Sequence, residues 1–188
     1  SPRGTTAAIG TADGTVQLWS LTEGSATFDT ELGGLSGAVF GVAFDPSGRY
    51  LAAGGADRTV RLWDLADLQA QPAVLTGPAG ELHAVAWSSD GSQLAAASSE
   101  GAVWLWDHTR RGQPTELATL VSDSPGQLFA AAFLGADVVA AGGTKQVVTT
   151  WQTDAAAVAA STCQRTGQGL TEQEWQKLVP SMAFMGVC

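Results

Sequence analysis

The apolar positions of this chain fall into short runs closed by turn residues. "VFGVAF" (39–44) is followed by "DPSG" (45–48), "YLAAGG" (50–55), "ADRT" (56–59) and "VRLWD" (60–64). Further on the same order returns as "LHAVAW", "SSDG", "QLAAAS", "SEGA" and "VWLWD". Runs this short predict β-strands, because a helix needs about ten or more residues with a 3.6-residue period. Asp, Pro, Ser and Gly between the runs supply tight turns. "LAAGG" and "LAAAS" are apolar at consecutive positions, so both faces of those strands are expected to be covered. Their Ala and Gly would let neighbouring sheets approach closely.

The runs repeat with a fixed period. Trp19, Trp63, Trp106 and Trp151 close similar segments and stand 44, 43 and 45 residues apart. A second landmark, the aromatic closing "VFGVAF", "LHAVAW" and "LFAAAF" (Phe44, Trp87, Phe133), gives spacings of 43 and 46. The unit "VAFDPSGRYLAAGGADRTVRLWDL" resembles a WD repeat, in which each unit forms a four-stranded blade of a β-propeller. The resemblance runs over roughly residues 5–152. It implies an all-β fold, a WD-repeat β-propeller of about three and a half blades of four-stranded antiparallel sheet. A closed ring of this family needs about six to eight blades. Two blade faces would then be exposed. Such faces are association sites or liabilities. Either blades precede Ser1, as the absence of an initiating Met suggests, or a second chain completes the ring.

In the WD-repeat family a hydrogen-bonded cluster joins the strand-end Trp to a Ser/Thr, a turn Asp and a His after Gly. Asp13 with Thr11 and Trp19 matches that pattern in the first unit, and Asp57 with Trp63 matches it in the second. Gly55 stands at the second unit's hydroxyl position, and Glu100 with Ser98 and Trp106 is a partial match. Lys145 replaces the acid in the fourth unit, and Pro78 stands where the His would be. Trp19, Trp63, Trp106, Trp151, Asp13 and Asp57 are therefore expected to be structural, with packing carrying more of the fold than usual.

The strand pattern stops after residue 152, and residues 153–188 are expected to form a helical tail docking on the propeller. Asp154 can cap a first helix, and Gly167 can end it. Thr171 and Glu174 have capping-box spacing, Leu170 and Trp175 can form a hydrophobic staple, and Pro180 ends a second helix. The tail also resembles the ending of bacterial WD-repeat proteins whose propeller follows a signalling NTPase of the STAND class. Cys163, Leu170, Thr171, Glu174, Trp175 and Cys188 occupy matching places. That resemblance implies a natural C-terminus and a large missing N-terminal part with an effector domain; with only two thiols in the chain, a cytoplasmic location is expected. No G-x-x-x-x-G-K-[ST] motif occurs here.

Charge narrows the partner class. With 9 basic and 18 acidic residues the net charge is −9. Nucleic acid and anionic membranes reward clusters of Lys and Arg, so neither is expected as a partner. The longest apolar run, 128–143, is shorter than a membrane span of about 20 residues. Cys163 and Cys188 are too few for a disulfide scaffold. Two buried thiols, one disulfide between them, or metal and redox chemistry all stay open for the pair. His83 and His108, the two histidines, make no zinc-ligand spacing with them. No nucleophile motif is readable, and no enzyme, cofactor or metal is expected.

Phe40, His83 and Phe129 each stand four residues before the strand's closing aromatic. In the WD-repeat family that place lies near the narrow top face where proteins dock. The three residues are expected either to form a shallow protein-binding patch, rimmed by Ala56 and Ser99, or to fill an inner packing layer. The leading functional expectation is a non-catalytic interaction scaffold or sensor within a larger bacterial signalling protein. One alternative is a half-propeller completed by another chain, including a homodimer through open blade faces. The other is a propeller enzyme or ligand binder using channel carboxylates.

Overall fold

A computed structural model describes residues 1–110, 113–122 and 126–166 of the chain. Among the described residues fourteen strands make four antiparallel sheets in chain order. The first sheet has three strands, β1 (Thr6–Gly10), β2 (Val16–Thr22) and β3 (Ser25–Leu32). The second has four, β4 (Val39–Phe44), β5 (Tyr50–Gly55), β6 (Val60–Asp64) and β7 (Ala73–Leu75). The third repeats this with β8 (Leu82–Trp87), β9 (Gln93–Ser98), β10 (Ala102–Asp107) and β11 (Thr115–Val121). The fourth keeps three, β12 (Leu128–Phe133), β13 (Val138–Gly143) and β14 (Val148–Gln152). This all-β arrangement of antiparallel sheets is consistent with the partial WD-type blades that the periodicity predicts. By register, among the described residues, the first sheet has no strand before β1 and the fourth none after β14.

Each pair of successive sheets encloses its own apolar cluster. The strand period of two sends alternate residues of a central strand to opposite neighbours. In β5, Leu51 and Ala53 face the first sheet, where Val16, Leu18 and Leu32 meet them with Trp63. Ala52 faces the other way, with Val60, Leu62 and Leu75, onto Leu94, Ala96 and Trp106 of the third sheet. Ala95, Ala97, Val103 and Leu105 then meet Val139 and Ala141, with Trp151 against them. So Trp63, Trp106 and Trp151 pack against the sheet that precedes their own. Trp63 and Trp106 are buried. Trp19 has no preceding sheet; it is half-exposed and its ring meets Phe28 edge-on at 5.6 Å.

The small residues do what their size permits. A Cβ on Gly41 of β4 would lie 2.9 Å from the Ala84 Cα of β8, so glycine lets these two strands approach backbone to backbone. At the turn before β5, the buried Asp45 accepts from the backbone N–H of Tyr50 at 2.7 Å and of Ser47 at 3.1 Å. The third sheet divides that task. Ser88 accepts from Gln93 N–H at 2.9 Å, and Asp90 accepts from Ser92 N–H at 3.0 Å. Beside this turn, the Arg49 guanidinium holds Asp64 at 2.7 Å and lowers its pKa. His108 is buried at the same end, edge-on to Tyr50 at 4.7 Å and to Trp87 at 5.0 Å.

The strands lie in one compact unit, Ser1–Trp151, and a second begins at Gln152. The second contains a helix, α1 (Ala155–Thr166), capped as the sequence predicts by Asp154, whose Oδ1 accepts from Ala157 N–H at 2.6 Å. The second expected helix, over 171–179, lies outside the described residues, as do Gly167 and Cys188. Among the described residues the tail has one helix, and neither the second helix nor the Cys163–Cys188 readings are addressed by it.

Trp106→Ala should lower unfolding free energy by about 3–5 kcal/mol, and Trp19→Ala by less than half as much, because only the first sits between two sheets. Urea midpoints measured side by side check the ratio. Asp64 has a folded pKa below its unfolded value of about 3.9, so its contribution is full above that pH and lost as pH falls through the lower, folded value. Both partners keep contact with water, which keeps the pair weak. A cycle of Arg49→Met and Asp64→Asn should show that coupling at pH 7 and a smaller one as the pH is taken below the ordinary carboxylate range.

Candidate binding rim

One edge of the sheets carries a structure repeated three times. It contains the starts of β4, β8 and β12, the loops leading into them, and the turns joining β5 to β6, β9 to β10 and β13 to β14. At each strand start the pairing with its neighbour skips one residue: Phe40 between Val39 and Gly41, His83 between Leu82 and Ala84, Phe129 between Leu128 and Ala130. Each skipped residue is the extra one of a β-bulge, and bulges re-aim the side chain they carry. The three rings meet in a row. Phe40 and His83 have centroids 5.3 Å apart at 31°, and His83 and Phe129 are 4.9 Å apart at 70°. Phe40 is 46% and Phe129 48% exposed, so the row meets solvent as well as itself.

A backbone hydrogen bond fixes each bulge. Ala56 N–H donates to Ala38 O at 2.9 Å, Ser99 N–H to Glu81 O at 2.8 Å, and Thr144 N–H to Gln127 O at 3.0 Å. Ala56 and Ser99 thus stand beside the row, tied to the residue just before the strand that carries each aromatic. The turns that hold them share a left-handed residue: Gly14 (φ 91°), Arg58 (φ 66°), Gly101 (φ 88°) and Gln146 (φ 56°).

The turn acids reach farther than their own turns. Asp57 Oδ1 accepts from Thr59 N–H at 3.0 Å, while its Oδ2 accepts from Ser36 N–H at 3.0 Å, in the loop that leaves the first sheet. Glu100 Oε2 accepts from Ala79 N–H at 3.2 Å, in the loop that leaves the second. Its Oε1 accepts from the Trp104 indole at 2.6 Å. In both cases a backbone N–H of the preceding loop donates to the turn acid, at Ala79 directly after Pro78. Trp104, rather than the strand-end Trp106, supplies the indole donor. Gly77 (φ 131°) must be glycine there, since a Cβ would come within 2.5 Å of the Trp104 ring. Asp13 is confined to its own turn; the Thr11 and then the Thr15 hydroxyl bond to it and lower its pKa. The Trp19 indole turns to Gln17 at 3.3 Å.

This geometry offers contact surface. Among the described residues no group of three or more His, Cys, Asp and Glu could hold a metal ion. The turn acids are occupied by backbone donors. None of the curated proteins matches the chain. Residues 27–64 and 70–107 each match the family WD domain, G-beta repeat. Two repeats of a partial WD40 domain are visible over those residues. WD40 domains generally serve as scaffolds that bind proteins. Each matched WD40 unit starts inside or just before an outer strand and ends with its Asp, at Asp64 or Asp107. It therefore takes the last strand of one sheet and the first three of the next.

Asp57→Ala removes the acceptor for Ser36 and Thr59 and should cost about 1–2 kcal/mol, leaving two donors short of a partner. Hydrogen exchange should quicken at Ser36 and Thr59. An unchanged rate at Ser36 would show that the loop is held by other means.

Proposed function

We propose that this chain is the protein-interaction module of a larger bacterial signalling protein, and that the Phe40–His83–Phe129 row is its docking surface. One observation carries the reading: three bulges in succession place three aromatic rings in ring contact on one exposed rim. A core does not need them there, since each sheet interface already has its own buried cluster. Aromatic rings on a rigid frame lose little freedom on binding and are the side chains that most often dominate protein interfaces. The backbone bonds at Ala38, Glu81 and Gln127 keep the row in place before any partner arrives, so little ordering cost falls on association.

The wider setting belongs to the same proposal. The tail's likeness to endings that follow a STAND-class NTPase supports an effector in the same polypeptide, in the cytoplasm. Binding at the rim would bias that effector between two states through its differential affinity for them. The described chain has no helix long and apolar enough to cross a membrane.

Peptides selected on this protein from a random display library are the test. The triple variant Phe40→Ala, His83→Ala, Phe129→Ala should lose at least about 30-fold in affinity for them, corresponding to a hot-spot loss of 2 kcal/mol or more. Its urea midpoint should stay close to that of the parent chain. Selected peptides that bind the variant equally well would place docking elsewhere, and a collapsed midpoint would make the row part of the core.

A further inference from the structure

The three units of the rim share one backbone plan but differ in charge. In the second sheet the turn beside Phe40 carries an acid and a base in succession, Asp57 and Arg58. In the fourth sheet Lys145 stands at the acid's place. Its stem lies on the loop before β12, since a Cβ on Gly126 would meet the Lys145 Cγ at 2.8 Å. The third sheet's share, residues 76–83 and 98–101, contains Glu81 and Glu100 and neither Lys nor Arg. Neither acid is in an ion pair among the described residues. The centre of the aromatic row is therefore its acidic part. His83 stands there between the two phenylalanines, with both carboxylates in its own sheet.

The two acids are placed differently. Glu100 is held by the Ala79 N–H at 3.2 Å and the Trp104 indole at 2.6 Å, so its carboxylate keeps one position. A carboxylate has about four acceptor sites, and two donors leave room for more. Glu81 takes part in the bulge through its backbone: Ser99 N–H donates to its carbonyl at 2.8 Å, while its side chain is exposed. It stands two residues before His83, where Ala38 and Gln127 stand before Phe40 and Phe129.

These charges decide what the row can receive. An apolar side chain laid over the centre would take the carboxylates out of water without supplying a counter-charge. An acidic one would be repelled by both. A Lys or Arg side chain suits both surfaces: its methylene stem lies along the rings and its head keeps to the carboxylates. The ring faces themselves attract a cation. The chain's net charge of −9 favours the same partner at longer range. We infer that the partner of this rim is a basic peptide segment that lays a Lys or Arg side chain across the aromatic row at the third sheet. This assignment rests on the docking role proposed for the row.

The display-selected peptides test it. Each should carry a Lys or Arg, and synthetic copies with that residue replaced by Met should bind the protein about tenfold more weakly. Glu81→Gln should weaken the basic peptides about threefold and leave the Met copies unchanged. Added salt should likewise weaken the basic peptides and spare the Met copies. Glu81→Gln keeps the carbonyl that Ser99 holds, so its urea midpoint should not move. Selected peptides without Lys or Arg, or Met copies that bind as tightly as their originals, overturn the basic partner and leave the docking role of the row intact. Peptides that bind the triple alanine variant as well as the parent chain overturn the docking role itself, whatever their charge. If Glu81→Gln lowers the midpoint, the basic and Met peptides compared on the parent chain decide alone.

Discussion

Every sheet of this protein depends on the burial of one side by its neighbour. A three- or four-stranded sheet of alanines, glycines and valines has little apolar volume of its own. It becomes a core only when a second sheet closes over it, and the large residue in each closure is the tryptophan of the later sheet. Trp63 and Trp106 are buried for this reason, whereas Trp19, with the same local sequence, is not. Position in the stack, not residue type, decides what a tryptophan contributes. Stability in such an array is approximately a sum over neighbour contacts, so the middle sheets hold the ends.

That dependence explains what could be read from residues alone. The strands, their turns and their period were legible because turn chemistry and apolar runs are local. The exposed state of Val148 was not, because "VVTTW" differs little from the "TVRLW" that is buried. The row of Phe40, His83 and Phe129 was visible as a spacing. Its cause, a bulge at each strand start, was not, since a bulge is a property of the pairing between two strands. The link from Asp57 to Ser36 was equally hidden. An acid facing a backbone N–H twenty-one residues away leaves no signature in the partner's side chain. The absent histidine pointed to a weakened cluster. In the structure the loop's own amide donates to the turn acid.

The two edges of the stack differ in character. One carries the bulges, the acid-held loops and the aromatic row, all built on backbone bonds that repeat from sheet to sheet. The other carries the Asp45 and Asp90 turns, the Arg49–Asp64 pair and buried His108, which vary between sheets. Regularity on the first edge gives three side chains a common direction. A flat contact surface requires that; the ring contacts of the variable edge, Tyr50 and Trp87 on His108, centre on a buried histidine instead.

The offset between the matched unit and the sheet has a consequence for how such a chain can grow or shrink. Residues 27–64 donate β3 to one sheet and β4, β5 and β6 to the next. The segment that matches the family repeat is thus out of phase with the sheet that folds. A duplicated unit cannot settle as a free-standing sheet; its first strand must lie along a sheet already present and its last three must wait for an outer strand from the unit that follows. Each unit is stitched to its neighbours by hydrogen bonds as well as by packing, so the array resists peeling apart one sheet at a time.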